Sequence, residues 1–275
     1  MKKHVLHILL IAAVGFGLAV GVGAGIQSKT ITIKGSTTVL PIAQSCAEAF
    51  MNQHDEVNIS VQGGGSGVGI ASIIDGTADI GDASRPIKDK EKQNAKENGV
   101  KAYENVVALD GIAVIVHPKN SVSALTKEQI KAVYTGKISN WADLGGKKGK
   151  IVVISRDSSS GTFETFNELA LEKEKVRPDA LMNASNNAVG QTVGRTPGAI
   201  GYIGLGYLSS SVKAVDVDGV AATKKNVVNG SYSLARKLFM YTNGAPQGVT
   251  KDFIDFILSA DGQKLVDKAG FVSVK

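Results

Sequence analysis

Cysteine is nearly absent from this chain: Cys46 is the only one among 275 residues. One thiol cannot close an intramolecular disulfide, so Cys46, inside a predicted helix, is expected to be a small core residue. Histidine is scarce as well. His4 and His7 fall in the N-terminal leader, and His54 and His117 have no ligand spacing between them, so no zinc site is expected and both are assigned to the surface. The same shortage leaves a serine nucleophile without a nominated base. Aromatic residues make up only 5% of the chain, which disfavours stacking on bases or sugar rings. There is no basic run and no nucleic-acid reader motif, and Lys147-Lys148 and Lys224-Lys225 read as solvated turns. The glycine run Gly63–Gly67 lacks the lysine of a Walker loop and the spacing of a dinucleotide loop. No metal and no cofactor is expected.

What is present supports two modest lobes. Apolar residues reach 43%, enough for real cores, and the net charge is +6, or +4 once Lys2 and Lys3 of the leader are set aside. That excess suits an anionic ligand or surface. The leader begins Met1-Lys2-Lys3, continues almost wholly apolar from Val5 to Val22, and offers small residues at Val22-Gly23-Ala24. Residues 1–26 are therefore expected to be a signal peptide or an uncleaved N-terminal anchor, giving an extracytoplasmic protein, periplasmic or at the cell surface. With no cysteine at its end, lipid attachment is not expected.

The richest segment is Ser155–Phe166, SRDSSSGTFETF. A β-branched run, Ile151–Ile154, precedes it and an amphipathic run, Phe163–Leu171, follows, so it reads as strand, hydroxyl-rich loop, helix. The first N–H groups of a helix have no partner within it, and beside Ser160, Gly161 and Thr162 they form an anion site. Arg156 adds a charged, two-pronged donor. Ser159 or Ser160 could equally be a simple helix cap. The arrangement recurs, however. Strand Thr30–Lys34 leads through Gly35-Ser36-Thr37-Thr38 into a helix with Pro41 in its first turn, and strand Val57–Val61 leads through Gln62–Gly67 into another. Helix N-termini converging on one crevice suit a small oxyanion.

Strands are predicted at 30–34, 57–61, 78–82, 105–109, 112–117, 151–155, 199–203, 213–217 and 237–241. Helices are predicted at 39–53, 67–75, 88–98, 126–135, 161–174, 185–194, 250–259 and 261–269, with Asp261-Gly262 separating the last two. This alternation implies an α/β fold with largely parallel sheets covered by helices.

Five motifs in order, Gly-Ser-Thr-Thr-x-x-Pro at 35–41, Gln-Gly-Gly-Gly-Ser-Gly at 62–67, Ala-Asp-Ile-Gly-Asp-Ala-Ser-Arg at 78–85, Ser-Arg-Asp-Ser-Ser-Ser-Gly-Thr at 155–162 and Pro-Gly-Ala-Ile-Gly-Tyr at 197–202, resemble the periplasmic phosphate-binding proteins of ABC transporters. So does the closing pair of helices. The resemblance implies a type II periplasmic-binding-protein fold: two lobes, each a mixed, mostly parallel sheet flanked by helices. Two crossings near 109–112 and 228–238 would divide it into lobe one, 28–110 plus 233–275, and lobe two, 111–232. It implies inorganic phosphate as ligand, permease subunits as partners, a monomer, no catalysis, and membrane contact only through the leader or the permease. Carried over residue by residue, Thr37 gives its hydroxyl and Thr38 its N–H. Ser66 gives both, Arg156 gives charge, and Ser160, Gly161 and Thr162 form the second cradle.

One position departs from the family pattern. Where many members carry an Asp that accepts the proton of HPO₄²⁻ and repels sulfate, the aligned residue is Ser84, followed by Arg85. Asp82 either replaces that acceptor or pairs with Arg85 or Arg156. Asp157 either orients Arg156 or faces solvent, and Ser36 stands beside the first loop. Sulfate or another tetrahedral oxyanion is the alternative ligand, and a secreted phosphatase-like hydrolase a more distant one.

Overall fold

A computed structural model describes residues 29–275, so the expected leader at 1–26 lies outside the described residues. In chain order the elements are β1 (Lys29–Gly35), α1 (Leu40–Met51), β2 (Val57–Gly63), α2 (Ser66–Ile74), β3 (Ile80–Ala83), α3 (Asp89–Glu97), β4 (Ala102–Val116), β5 (Ala124–Leu125), α4 (Lys127–Thr135), β6 (Val152–Arg156), α5 (Gly161–Leu169), β7 (Leu181–Asn183), α6 (Asn186–Arg195), β8 (Ala199–Gly204), β9 (Lys213–Ala214), β10 (Asp216–Val217), α7 (Lys224–Val228), β11 (Ala235–Asn243), α8 (Gly248–Leu258) and α9 (Ala260–Lys268). Short 3₁₀ helices cover Trp141–Leu144 and Leu205–Tyr207. No described helix is long and apolar enough to cross a membrane.

The main sheet runs β2-β1-β3-β11-β4-β8-β6-β7, with β9 beside β4, and β5 pairs with β10 separately. Toward one end β1 is parallel to β2 and β3; toward the other β6 is parallel to β7 and β8. The parallel pattern expected from strand–helix alternation holds there. The middle is antiparallel, because β4 leaves the first lobe and β11 returns to it. β4 pairs with β11 as far as Gly111 and with β8 from Ile112 onward, so one strand serves both lobes.

Sequence periodicity predicted two strands where β4 is continuous. The interruption was Asp110-Gly111, a turn-like dipeptide. Here the Asp110 carboxylate is occupied by Arg236 and by the Leu205 N–H, so the backbone stays extended. The break between α8 and α9 also moves. It falls at Ser259, whose hydroxyl caps the Gly262 N–H at 3.2 Å, and Asp261 and Gly262 lie within α9. The short strands β5 and β7 and the five-residue α7 give no periodic signal long enough to read.

Two large buried clusters divide the apolar residues. One joins Ile31, Ile33, Ile42, Cys46, Phe50, Met240, Phe253 and Ile257 beneath α1, α8 and α9. The other joins Ile112–Val116, Tyr134, Ile154, Phe166, Val189, Ile200 and Tyr202. Phe166 stacks on Tyr202 at 4.0 Å, and Tyr134 meets Phe166 edge-on, fixing α5 and β8 against one another. Cys46 is a core residue as expected, and burial pushes its thiol up to about 12.

Candidate anion-binding site

Gly35 ends β1, and the chain then climbs through Ser36-Thr37-Thr38 to α1, where proline occupies the first turn. All three hydroxyl residues are buried. Ser36 Oγ accepts from the Thr38 N–H at 3.1 Å, so Ser36 braces the loop and takes the N–H that the sequence assigned to the ligand. In the neighbouring loop Gly65 adopts φ +97°, which glycine tolerates, and Ser66 becomes the first residue of α2. A Cβ at Gly65 would also approach Ser159 Oγ to 2.5 Å, so the residue serves a close approach between the lobes. Ser66 Oγ accepts from the Ser84 N–H at 2.9 Å and lies 3.3 Å from Ser84 Oγ, joining the second loop to the end of β3.

The facing wall starts where β6 ends. Arg156 is 2% exposed; its Nε and Nη2 donate to the carbonyls of Asn183 and Ala184 at 2.9 and 3.0 Å. Its Nη1 is buried without a partner. Its ion-pair contact with Asp157 is long, 3.9 Å. Asp157 instead accepts from the Ser159 N–H at 2.9 Å and from the Ser159 hydroxyl, shaping the loop rather than gripping Arg156. Burial lowers the Arg156 pKa and Asp157 opposes the shift. Ser160 is the N-cap of α5, accepting from the Phe163 N–H at 3.2 Å. The capping reading is therefore correct for Ser160, and it leaves the Gly161 and Thr162 N–H groups as the unspent donors of the helix end.

These walls meet. Thr38 Oγ1 lies 2.9 Å from Thr162 Oγ1, Gly67 N–H donates to the Ser159 carbonyl at 3.0 Å, and Ser159 Oγ, whose hydrogen is directed at Asp157, lies 3.1 Å from the Gly64 carbonyl oxygen. Gly161 is required by this approach: a Cβ there would overlap Ser66 Oγ and stand 2.8 Å from Ser84 Oγ. The structure thus brings Thr37, Thr38, Ser66, Ser84, Arg156, Ser160, Gly161 and Thr162 into one buried locus.

Arg85 is elsewhere. Its guanidinium takes both Glu91 oxygens, at 2.7 and 2.8 Å, and pairs with Glu164 of α5 at 2.7 Å. Asp82 has neither arginine as a partner among the described residues. It is buried, its Oδ1 has no hydrogen bond, and burial holds its pKa well above the ordinary carboxylate range.

Four contributors escaped the sequence reading. Asn186, at the start of α6, donates to Thr37 Oγ1 and Thr38 Oγ1 at 3.1 and 3.0 Å. Arg236 of β11 reaches Thr38 Oγ1 at 3.3 Å while held by Asp110, and the Tyr207 hydroxyl donates to the Thr37 carbonyl. Asn186 follows the same strand–loop–helix signal as the other loops, but β7 is three residues long and mostly exposed, so its pattern is lost. Arg236 and Asp110 are 126 residues apart and leave no local trace.

No group of three or more His, Cys, Asp or Glu side chains among the described residues could hold a metal ion. The chemistry on offer is a dense set of hydrogen-bond donors around a buried guanidinium whose carboxylate contact, Asp157, is 3.9 Å away, which suits an oxygen-rich anion.

Comparison with known proteins agrees. Residues 22–261 match the model of the PBP superfamily domain. The phosphate-binding protein PstS of Bacillus subtilis is 34% identical over all of this chain and 95% of its own length. PstS of Staphylococcus aureus is 37% identical over 87% of this chain and 76% of its own. Among solved structures, a candidate phosphate ABC transporter substrate-binding protein from Clostridium perfringens, with bound phosphate, has a TM-score of 0.85 at 40% identity, covering 90% of this chain and 100% of that one. An ABC-type phosphate transport receptor from Vibrio cholerae gives 0.73 at 35%, covering 88% and 99%.

Proposed function

The chain belongs to the PBP superfamily, and from that premise we propose that it is an extracytoplasmic solute-binding protein that captures inorganic phosphate between its lobes and delivers it to an ABC permease. One observation carries the ligand class. Arg156 is a buried cation with a free Nη1 and only a 3.9 Å contact to a carboxylate, set between helix N-termini. A buried charge of that kind is costly unless a counter-ion completes it.

In the proposed complex Arg156 Nη1 and the Gly161 and Thr162 N–H groups bind the anion from one side. The hydroxyls of Thr37, Thr38, Ser66 and Ser84 bind it from the other, and Ser160 and Thr162 add theirs. Ser36 and Asp157 hold the loops, and Arg85 ties the rim. Lobe one is taken as 28–110 plus 233–275 and lobe two as 111–232, with closure about the β4 and β11 crossings. The protein is proposed to act as a monomer, without turnover, and to touch the membrane only through its leader or the permease.

A second ligand, sulfate, is favoured by one specific feature: Ser84 stands where a proton-accepting Asp is expected. Asp82 is the proposed proton acceptor for phosphate: its buried carboxyl has no partner at Oδ1, and in its ionised form it can take the ligand's proton, which sulfate does not carry. Calorimetric titration of phosphate-stripped protein with phosphate, then sulfate, from pH 5 to pH 9 separates the two. Phosphate is expected to bind one to one, at least about tenfold tighter than sulfate. Equal affinities would remove the phosphate assignment, and release of product from a phosphomonoester, lost on Ser160→Ala, would favour a hydrolase instead.

A further inference from the structure

Asn186 is fully buried at the start of α6, in the second lobe, yet its amide serves the first. The Gly204 N–H donates to Asn186 Oδ1 at 3.1 Å. A backbone N–H cannot accept, so the amide is locked one way round, with Nδ2 directed at Thr37 Oγ1 and Thr38 Oγ1 at 3.1 and 3.0 Å. Thr38 Oγ1 meets a second obligate donor, Arg236 Nη2, at 3.3 Å. That guanidinium is fixed in turn by Asp110 Oδ2, at 2.9 Å from Nε and 2.7 Å from Nη2, and it donates from Nη1 to the Ser84 carbonyl at 3.3 Å.

A hydroxyl has two lone pairs and one hydrogen. With an amide and a guanidinium filling both lone pairs, the Thr38 hydroxyl has one role left, as a donor. Its nearest remaining neighbour is Thr162 Oγ1 at 2.9 Å, at the α5 N-terminus where the anion is proposed to sit.

We propose that Asn186 is a positioning residue for anion recognition: its amide, brought onto Thr37 and Thr38 when the lobes close, fixes the Thr38 hydroxyl as a donor toward the ligand, with Arg236 as its fixed counterpart. The proposal rests on the reading of this cleft as an oxyanion site. Asn186 and Thr38 are 148 residues apart in sequence and on opposite lobes, so this polarity is completed only on closure. Arg236 and Thr38, both on elements of the first lobe, supply the half that exists beforehand. A ligand oxygen facing Thr38 must then act as an acceptor, and the contact acts on release more than on capture.

The test uses the mature protein and inorganic phosphate, with calorimetry for affinity and stopped-flow for rates. Asn186→Ala is expected to raise the dissociation rate about tenfold, the worth of roughly one hydrogen bond, while association stays within about twofold. Asn186→Asp has the same shape and keeps an acceptor for Gly204, but presents oxygen to the two threonines and draws their hydrogens away from the ligand. It is expected to weaken binding more than the alanine variant does, by about a hundredfold. In a Thr37→Val/Thr38→Val background, Asn186→Ala should add less than about twofold, because both hydroxyls that its amide bonds are gone. A packing role predicts the reverse on both counts: Asp milder than Ala, and losses that add. Either result, or both variants binding within twofold of the unaltered protein, would overturn the proposal. Failure of the unaltered protein to bind phosphate would instead sink the reading of the cleft. Thermal melts check that each variant is folded, and Asn186→Asp carries the test if the alanine variant is not.

Discussion

Arg156 illustrates how a single side chain can be over-determined by position and still leave one valence to the ligand. Two of its nitrogens are spent on the carbonyls of Asn183 and Ala184, which hold the guanidinium flat and buried, and Nη1 remains. Arg156→Ala should therefore cost phosphate affinity by at least about a hundredfold, some 3 kcal/mol, in calorimetry. Arg156→Lys should not restore it, because a point charge cannot hold both carbonyls and the anion. Asp82 gives a prediction in pH rather than affinity. Burial raises its pKa well above the ordinary carboxylate range, so the folded chain keeps a proton that the unfolded chain has released. Stability should then fall as pH rises from that ordinary range through the raised value. Asp82→Asn removes the ionisation, and in phosphate-free buffer it should melt above the unaltered protein at pH 8, with the gap closing toward pH 4. Superimposable melting profiles would refute this origin. At this scale the sequence was most legible where a residue acts through its own loop: Ser160, Gly161, Thr162 and Ser66 stand where their strand–loop–helix signals put them. It was least legible for Asp110, Arg236 and Asn186, whose roles come from partners far along the chain.

Helix ends, not helix bodies, build this cleft. α2 and α5 each present a first turn whose N–H groups have no partner within the helix; α2 spends that of Gly67 on the Ser159 carbonyl, and α5 spends that of Phe163 on the Ser160 cap. Gly161 at the head of α5 is tuned to the opposite lobe rather than to its own helix, since a Cβ there would collide with Ser66 Oγ. Gly161→Ala should fold normally, because its backbone is helical, but should hold the lobes apart. We expect at least about a tenfold loss of phosphate affinity together with a loss of ligand-induced contraction in small-angle scattering. Contraction equal to that of the unaltered protein would contradict the steric argument. Most helices and strands were readable from apolar periodicity. The exceptions are physical: β4 stays extended through Asp110-Gly111 because a tertiary ion pair occupies the Asp, and β7 is too short and exposed to show a pattern.

For the whole molecule, the relevant property is how the two lobes are kept together. Besides the threonine, serine and asparagine contacts at the floor, a rim cluster bridges the lobes: Glu164 of α5 pairs with Arg85 at 2.7 Å and with Lys88 at 2.6 Å, and Arg85 is braced by Glu91. Glu164 and Arg85 are mostly shielded, at 17% and 6% side-chain exposure, so the pair is worth more than an open surface ion pair. Glu164→Gln should speed phosphate release several-fold in stopped-flow measurements, and the difference from the unaltered protein should shrink as salt is raised to 1 M. A release rate unchanged at low salt would remove the rim cluster from the account. The two-lobed plan and its crossings could be read from motif order, but the rim cluster could not, since the sequence sets Arg85 beside Ser84 and gives no sign of its pairing with Glu91 and Glu164.

The central claim is that one oxyanion is held by both lobes at once, and a crystal structure of the phosphate-soaked protein tests it most directly. The account predicts a single phosphate with Arg156 Nη1 and the Gly161 and Thr162 N–H groups within about 3 Å on one side, and the Thr38 and Ser66 hydroxyls equally close on the other. A phosphate touching residues of one lobe only, or lying away from Arg156, would contradict it.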